Sequence, residues 1–158
     1  MTNYDFPKKR NNSGSIAKIE NKRPAFTPNH IKSLADDEIF VFGSNLAGHH
    51  GGGAARVALN KFGAIWEQGV GLQGQSYAIP TMQGGVETIA PYVDEFIEFA
   101  KTHPELFFYV TRIGCGIAGF SDEQIAPLFK NALGINNICL PELFVQALNN
   151  LRIPESVK

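Results

Sequence analysis

Between Ile39 and Leu59 the chain reads IFVFGSNLAGHHGGGAARVAL, and few folds accommodate that order. Ile39-Phe40-Val41-Phe42 has the length and the β-branched and aromatic content of a buried strand. The run breaks at Gly43-Ser44-Asn45, passes a polar turn and reaches Gly51-Gly52-Gly53, after which Ala54 to Leu59 are helix formers. The unit is strand, glycine-rich loop, helix. Its alternatives are a flexible turn between two core elements or an anion site, where the backbone approaches a ligand closely and the first N–H groups of the helix point at it. The position, straight after a buried strand, is where open α/β sheets bind ligands.

The same unit recurs. Leu106 to Thr111 (LFFYVT) is apolar nearly throughout, which suits a central parallel strand. It runs into Ile113-Gly114-Cys115-Gly116-Ile117-Ala118-Gly119-Phe120, and Ser121 with Gln124 has the form of a capping box for a following helix. Pro127 is a misfit in that helix, which must start late or kink. Between the two units, a helix is expected from Gly53 to Phe62, a loop over residues 67–75 and a short strand over residues 76–80. A second helix, capped by Thr88 with Pro91 in its first turn, buries Ile89, Val93 and Phe96. Residues 138–140 form a last strand and Glu142 to Leu151 a terminal helix; residues 24–30, with two prolines, supply at most an edge strand. The alternation predicts an α/β chain, a three-layer α/β/α fold with a mixed, mostly parallel sheet. Both glycine-rich loops then leave carboxyl ends of strands and face one cleft.

At 158 residues one domain is expected, over residues 24–158. Residues 1–23 hold six basic and two acidic side chains among Asn, Ser and Gly, and read as a mobile tail; a nucleic-acid arm would need interleaved aromatics that are missing. The remainder, with eight basic against thirteen acidic residues, makes nucleic acid an unexpected partner. No apolar run reaches the roughly 18 residues of a membrane span, no apolar leader is evident, and a cytoplasmic, membrane-free protein is the expectation. Cys115 and Cys139 make no disulfide framework and no zinc pattern. No metal and no cofactor is expected, and no oligomeric state follows.

Ser44-Asn45 at a strand end, the glycine triplet, an alanine-rich helix and the later Gly114 to Phe120 segment resemble the macrodomain family, over residues 25 to 150. The family's Gly-Asp-Ile-Thr-like adenine segment has no match; Thr27-Pro28-Asn29-His30-Ile31 stands in its place, where Asn29 offers an amide. The resemblance implies a site for ADP-ribose or a related nucleotide diphosphate, with Ser44, Asn45, Gly51, Gly52 and Gly53 beside the distal ribose and phosphates. The N–H groups of Gly116, Ile117, Ala118 and Gly119 would cradle the diphosphate, Gly114 and Cys115 would belong to the same binding loop, and Phe120 would pack on the distal ribose. It also implies, for some members, hydrolysis of an ADP-ribosyl or phosphoester bond. Asn45, His49 and His50 are then the catalytic candidates, either imidazole serving as acid, base or phosphate cation; the bland alternative makes both histidines exposed loop residues. Cys115 is either a nucleophile or a small residue filling a tight turn. A binding module without turnover, or an interaction protein that keeps the fold alone, remains the alternative.

Overall fold

The computed structural model describes residues 23–151. The expected tail therefore lies outside the described residues except for Arg23. That residue is docked: its guanidinium pairs with Asp37 at 2.9 Å and lies 4.2 Å from the centre of the Phe107 ring.

The fold is α/β. Strand β1 (Glu38–Ser44) leads to helix α1 (Gly53–Lys61), strands β2 (Gly71–Gln73) and β3 (Ser76–Pro80), and helix α2 (Val86–Lys101). Strand β4 (Phe107–Val110), the short helix α3 (Asp122–Ile125), a 3-10 helix (Ala126–Ala132), strand β5 (Ile138–Cys139) and helix α4 (Glu142–Leu151) follow. The five strands form one sheet in the order β2-β3-β1-β4-β5; every pairing is parallel except β2 with β3. The mixed sheet thus owes its one antiparallel edge to residues 71–73, which the sequence reading assigned to loop. Gly69, Gly71 and Gly74 in and around it hide the strand pattern; what makes it a strand is pairing with β3, an interaction the local sequence does not encode.

Alternation along β1 sends its side chains to two cores. Ile39 and Val41 join Tyr77, Ile79, Phe108 and Val110 beneath α2, the 3-10 helix and α4. Phe40 and Phe42 join Ala55, Ala58 and Phe62 of the α1 segment on the opposite face. Helices on both faces make three layers. The first core is the larger: Phe96 of α2 has no exposed surface and meets Tyr77 and Phe108 edge-on at 5.1 and 5.4 Å. The alanines of α1 let that helix lie close on Phe42.

Element ends follow local chemistry. Helix α2 begins at Val86, earlier than a Thr88 cap would allow, so Pro91 falls inside the helix and not in its first turn. Ser121 and Gln124 form the capping box reciprocally, at 3.1 and 2.9 Å. Pro127 then ends α3: it has no N–H to continue the ladder, and the chain tightens into the 3-10 helix with the proline in its first turn. Residues 24–30 form no strand, although Thr27 runs beside β5 and donates from its N–H to Leu140 O (2.9 Å) and from Oγ1 to Cys139 O (3.0 Å).

Strands β1 and β4 are neighbours at the centre, and the chain leaves them in opposite directions, towards β3 after β1 and towards β5 after β4. That divergence opens a crevice between their outgoing loops, the position at which open α/β sheets take ligands. No described helix is long and apolar enough to cross a membrane.

Candidate functional site

The crevice is a cavity of about 170 Å3. Ser44, Asn45, His49, Gly52 and Gly53 form one wall and Gly114, Gly116, Ile117 and Ala118 the other. The two loops that the sequence reading singled out therefore meet. A methyl group added at Gly52 would lie 3.2 Å from Ile117 Cδ1. Ile117 is otherwise 74% exposed, so its side chain bridges the loops from outside.

Backbone N–H groups without partners occur on both walls. Gly53, Ala54 and Ala55 open α1 and have no intrahelical acceptor. In the second loop, Cys115 N donates to Arg112 O (3.2 Å), Gly119 N to Gly116 O (3.0 Å) and Phe120 N to Gly114 O (2.8 Å). The N–H groups of Gly114, Gly116, Ile117 and Ala118 find no acceptor among the described residues. These four residues also line the cavity, whereas those whose N–H groups close the turns, Cys115, Gly119 and Phe120, do not. Gly114 holds the turn at a φ of 77°, and a Cβ there would meet Ile125 Cδ1 at 2.9 Å.

Among the described residues no carboxylate lines the cavity, and Arg112 is its one permanent charge. That guanidinium is not free. It donates to both carboxylate oxygens of Asp122, at 2.9 and 2.8 Å, which holds the Asp122 carboxyl below its ordinary value. Asp122 in turn opens α3.

Five residues expected at the site do not line it. His50 is 0% exposed: its ring meets Phe42 edge-on at 5.2 Å, and Nε2 lies 3.2 Å from Gln73 Oε1. It is a core residue of the loop's underside. Gly51 is consumed in the turn, its N–H donating to His49 O at 2.9 Å. The Cys115 thiol points to Asp122 Oδ1 (3.7 Å), and burial, with the Asp122 carboxylate second, pushes it up to about 11, which opposes a nucleophilic role. Gly119 closes the second turn, and Phe120 packs against the larger core.

Asn45 and His49 form a unit of their own. Asn45 Oδ1 accepts from His49 N at 2.8 Å, and Asn45 Nδ2 donates to His49 O at 3.0 Å. The amide thus closes residues 45–49 into a ring that carries the His49 side chain at the edge of the cavity. Thr81 and Met82, after β3, complete the lining and were not singled out in the sequence. Their one sequence signal is position, just past the carboxyl end of a parallel strand. A second hollow, of about 740 Å3, shares Thr111 and Arg112 with the crevice and is otherwise walled by residues 26–30 and by Pro141, Glu142 and Leu143.

Comparison with known proteins finds no matching family model, no matching curated protein and no matching solved structure.

Proposed function

We propose that the crevice binds ADP-ribose or a related nucleotide diphosphate. The observation that carries this reading is that unpaired N–H groups, from the start of α1 on one wall and from Gly114, Gly116, Ile117 and Ala118 on the other, line a cavity with no carboxylate among the described residues. A diphosphate spreads its charge over several oxygens, and oriented amide dipoles serve it without a neighbouring cation. The size fits in part: 170 Å3 is below the roughly 300–1,000 Å3 of small-molecule sites. A full nucleotide would seat its diphosphate in the crevice and extend past Thr111 into the larger hollow, where Asn29 offers an amide to a base. The macrodomain resemblance of residues 44–53 and 114–120 supports the same ligand class.

Hydrolysis is the second part of the proposal and has narrower support. Among the described residues His49 supplies the one imidazole on the lining, and imidazoles are the side chains that most often move protons in catalysis. Turnover would otherwise use a ligand phosphate as base, with water held between that phosphate and residues 45–53. A binding module without turnover is favoured by the scarcity of acid and base groups in the cavity.

Calorimetric titration of ADP-ribose into the protein, with ADP, AMP and NAD as comparisons, tests the reading. Saturable binding selective for ADP-ribose is the expected result. No binding by any of the four at millimolar concentration overturns it. Release of ADP-ribose from an ADP-ribosylated substrate then separates enzyme from binding module.

A further inference from the structure

The chain has one tryptophan, Trp66, and it lies against His49 of the crevice lining. The Trp66 ring lies parallel to the His49 imidazole, with centroids 5.0 Å apart and planes 9° apart. We propose that Trp66 is the positioning residue for His49, fixing the imidazole at the cavity edge so that it bonds the ligand held there. The proposal rests on the nucleotide-diphosphate reading and adds to it the device that orients the imidazole on the site's lining.

Three observations beside the stack support it. Trp66 is 49% exposed although an indole is among the costliest side chains to leave in water, so folding alone does not account for its place. It sits at the tip of a turn closed by Gln68 N to Ile65 O at 3.1 Å, whose third residue, Glu67, has a φ of 75°. Glu67 is the one non-glycine residue with positive φ among the described residues, and such backbone persists only where surroundings over-determine it.

The surroundings do so. Glu67 N donates to Gly48 O at 2.9 Å, and Ser44 Oγ donates to Gly69 O at 2.6 Å. A side chain at Gly48, itself at a φ of 72°, would collide with the backbone of Glu67 and Gln68. The turn carrying Trp66 is therefore bonded backbone to backbone onto the loop carrying His49. Asn45 holds the main chain of His49 and Trp66 holds its ring, so two independent restraints act on one imidazole.

The stack and its consequence are tested on the full chain with Trp66→Phe, Trp66→Ala, His49→Ala and the Trp66→Ala/His49→Ala double variant. Proton NMR reads the stack without ligand: the His49 ring protons are shifted upfield by the indole and return towards random-coil positions in Trp66→Ala. Calorimetry with ADP-ribose reads the consequence. Trp66→Ala and His49→Ala each weaken binding about tenfold, the loss of one charge-assisted hydrogen bond. The double variant loses no more than either, and Trp66→Phe stays within about twofold of wild type because a ring is retained. Losses that add, or His49 signals unmoved by Trp66→Ala, overturn the proposal. Absence of ADP-ribose binding by the wild type removes the ligand reading instead, and the NMR signature then decides the pairing by itself.

Discussion

His50 and Gln73 meet in the interior, Nε2 to Oε1 at 3.2 Å, and this contact fixes the tautomer of the imidazole. Gln73 Oε1 also accepts from Ile65 N at 2.8 Å, while Gln73 Nε2 donates to Gln68 O (3.1 Å) and Gly71 O (3.2 Å). With the amide so oriented, His50 Nε2 must carry the proton. Nδ1 is left without a partner among the described residues. One glutamine from the sheet edge thereby ties the turn carrying Trp66 to the loop carrying His49.

Replacing Gln73 by Ala strands the His50 and Ile65 donors in the interior. Each buried unpaired group costs about 1–3 kcal/mol, so a loss of stability in that range is expected in urea denaturation. A loss below about 0.5 kcal/mol would mean that water replaces the amide and that the hub is not structural.

Gly114→Ala adds a Cβ against Ile125 Cδ1 and forces an L-residue to a φ of 77°. Backbone strain and crowding each cost about 1–3 kcal/mol. Thermal unfolding should show the loss, and pairing the change with Ile125→Ala should relieve the crowding while leaving the strain. The double variant also opens a cavity beside the loop, so weaker ADP-ribose binding is expected even where the fold survives. Full stability in Gly114→Ala would contradict the observed turn.

Cys115 should resist alkylation in the native protein, since burial and Asp122 push its thiol up to about 11. Peptide mass spectrometry after iodoacetamide treatment at about pH 8 is expected to find it far less modified than in the unfolded chain. Asp122→Asn removes the carboxylate that opposes thiolate formation and should speed the reaction. Fast native alkylation would restore Cys115 as a nucleophile.

Arg112 holds the Asp122 carboxyl below its ordinary value of 3.8, so the folded state releases that proton more readily than the unfolded state. The stabilisation is then fully present above the unfolded value and is lost as pH falls from there through the lower folded one. Denaturation of wild type and Asp122→Asn should differ at about pH 6 by no more than roughly 1 kcal/mol, because Arg112 is half-exposed, and converge in strong acid. A difference that grows on acidification would reverse the assigned sign.

Asn45→Ala opens the ring of residues 45–49 by removing both bonds to His49. Asn45→Asp retains the acceptor for His49 N but sets a carboxylate on the wall of the crevice. For an anionic ligand, Asn45→Asp should bind ADP-ribose more weakly than Asn45→Ala. Equal affinities in calorimetry would show that the ligand charge lies away from Asn45.

Much of the fold was legible along the chain. The α/β alternation, the mostly parallel sheet, the Ser121–Gln124 capping box and the terminal helix Glu142–Leu151 agree with the structure. The glycine-rich loops were legible too, down to their meeting across one crevice. Residue by residue the reading was less sharp. His49 and His50 are equivalent in a sequence, yet one lines the cavity and the other lies under Phe42. Gln73 and Trp66 carried no signal at all, since neither belongs to a motif and both act on residues far from them in the chain.

The division has a physical cause. Hydrophobic periodicity, caps and glycine turns are decided by contacts within a few residues, and these the sequence by itself determined. Which side of a loop a residue faces is decided by what packs against that loop. Here those partners are β2, an edge strand formed only by pairing with β3, and the strained turn that sets Trp66 against His49. Such contacts exist only once the sheet has assembled, so the tertiary structure alone selected which members of each loop face the crevice.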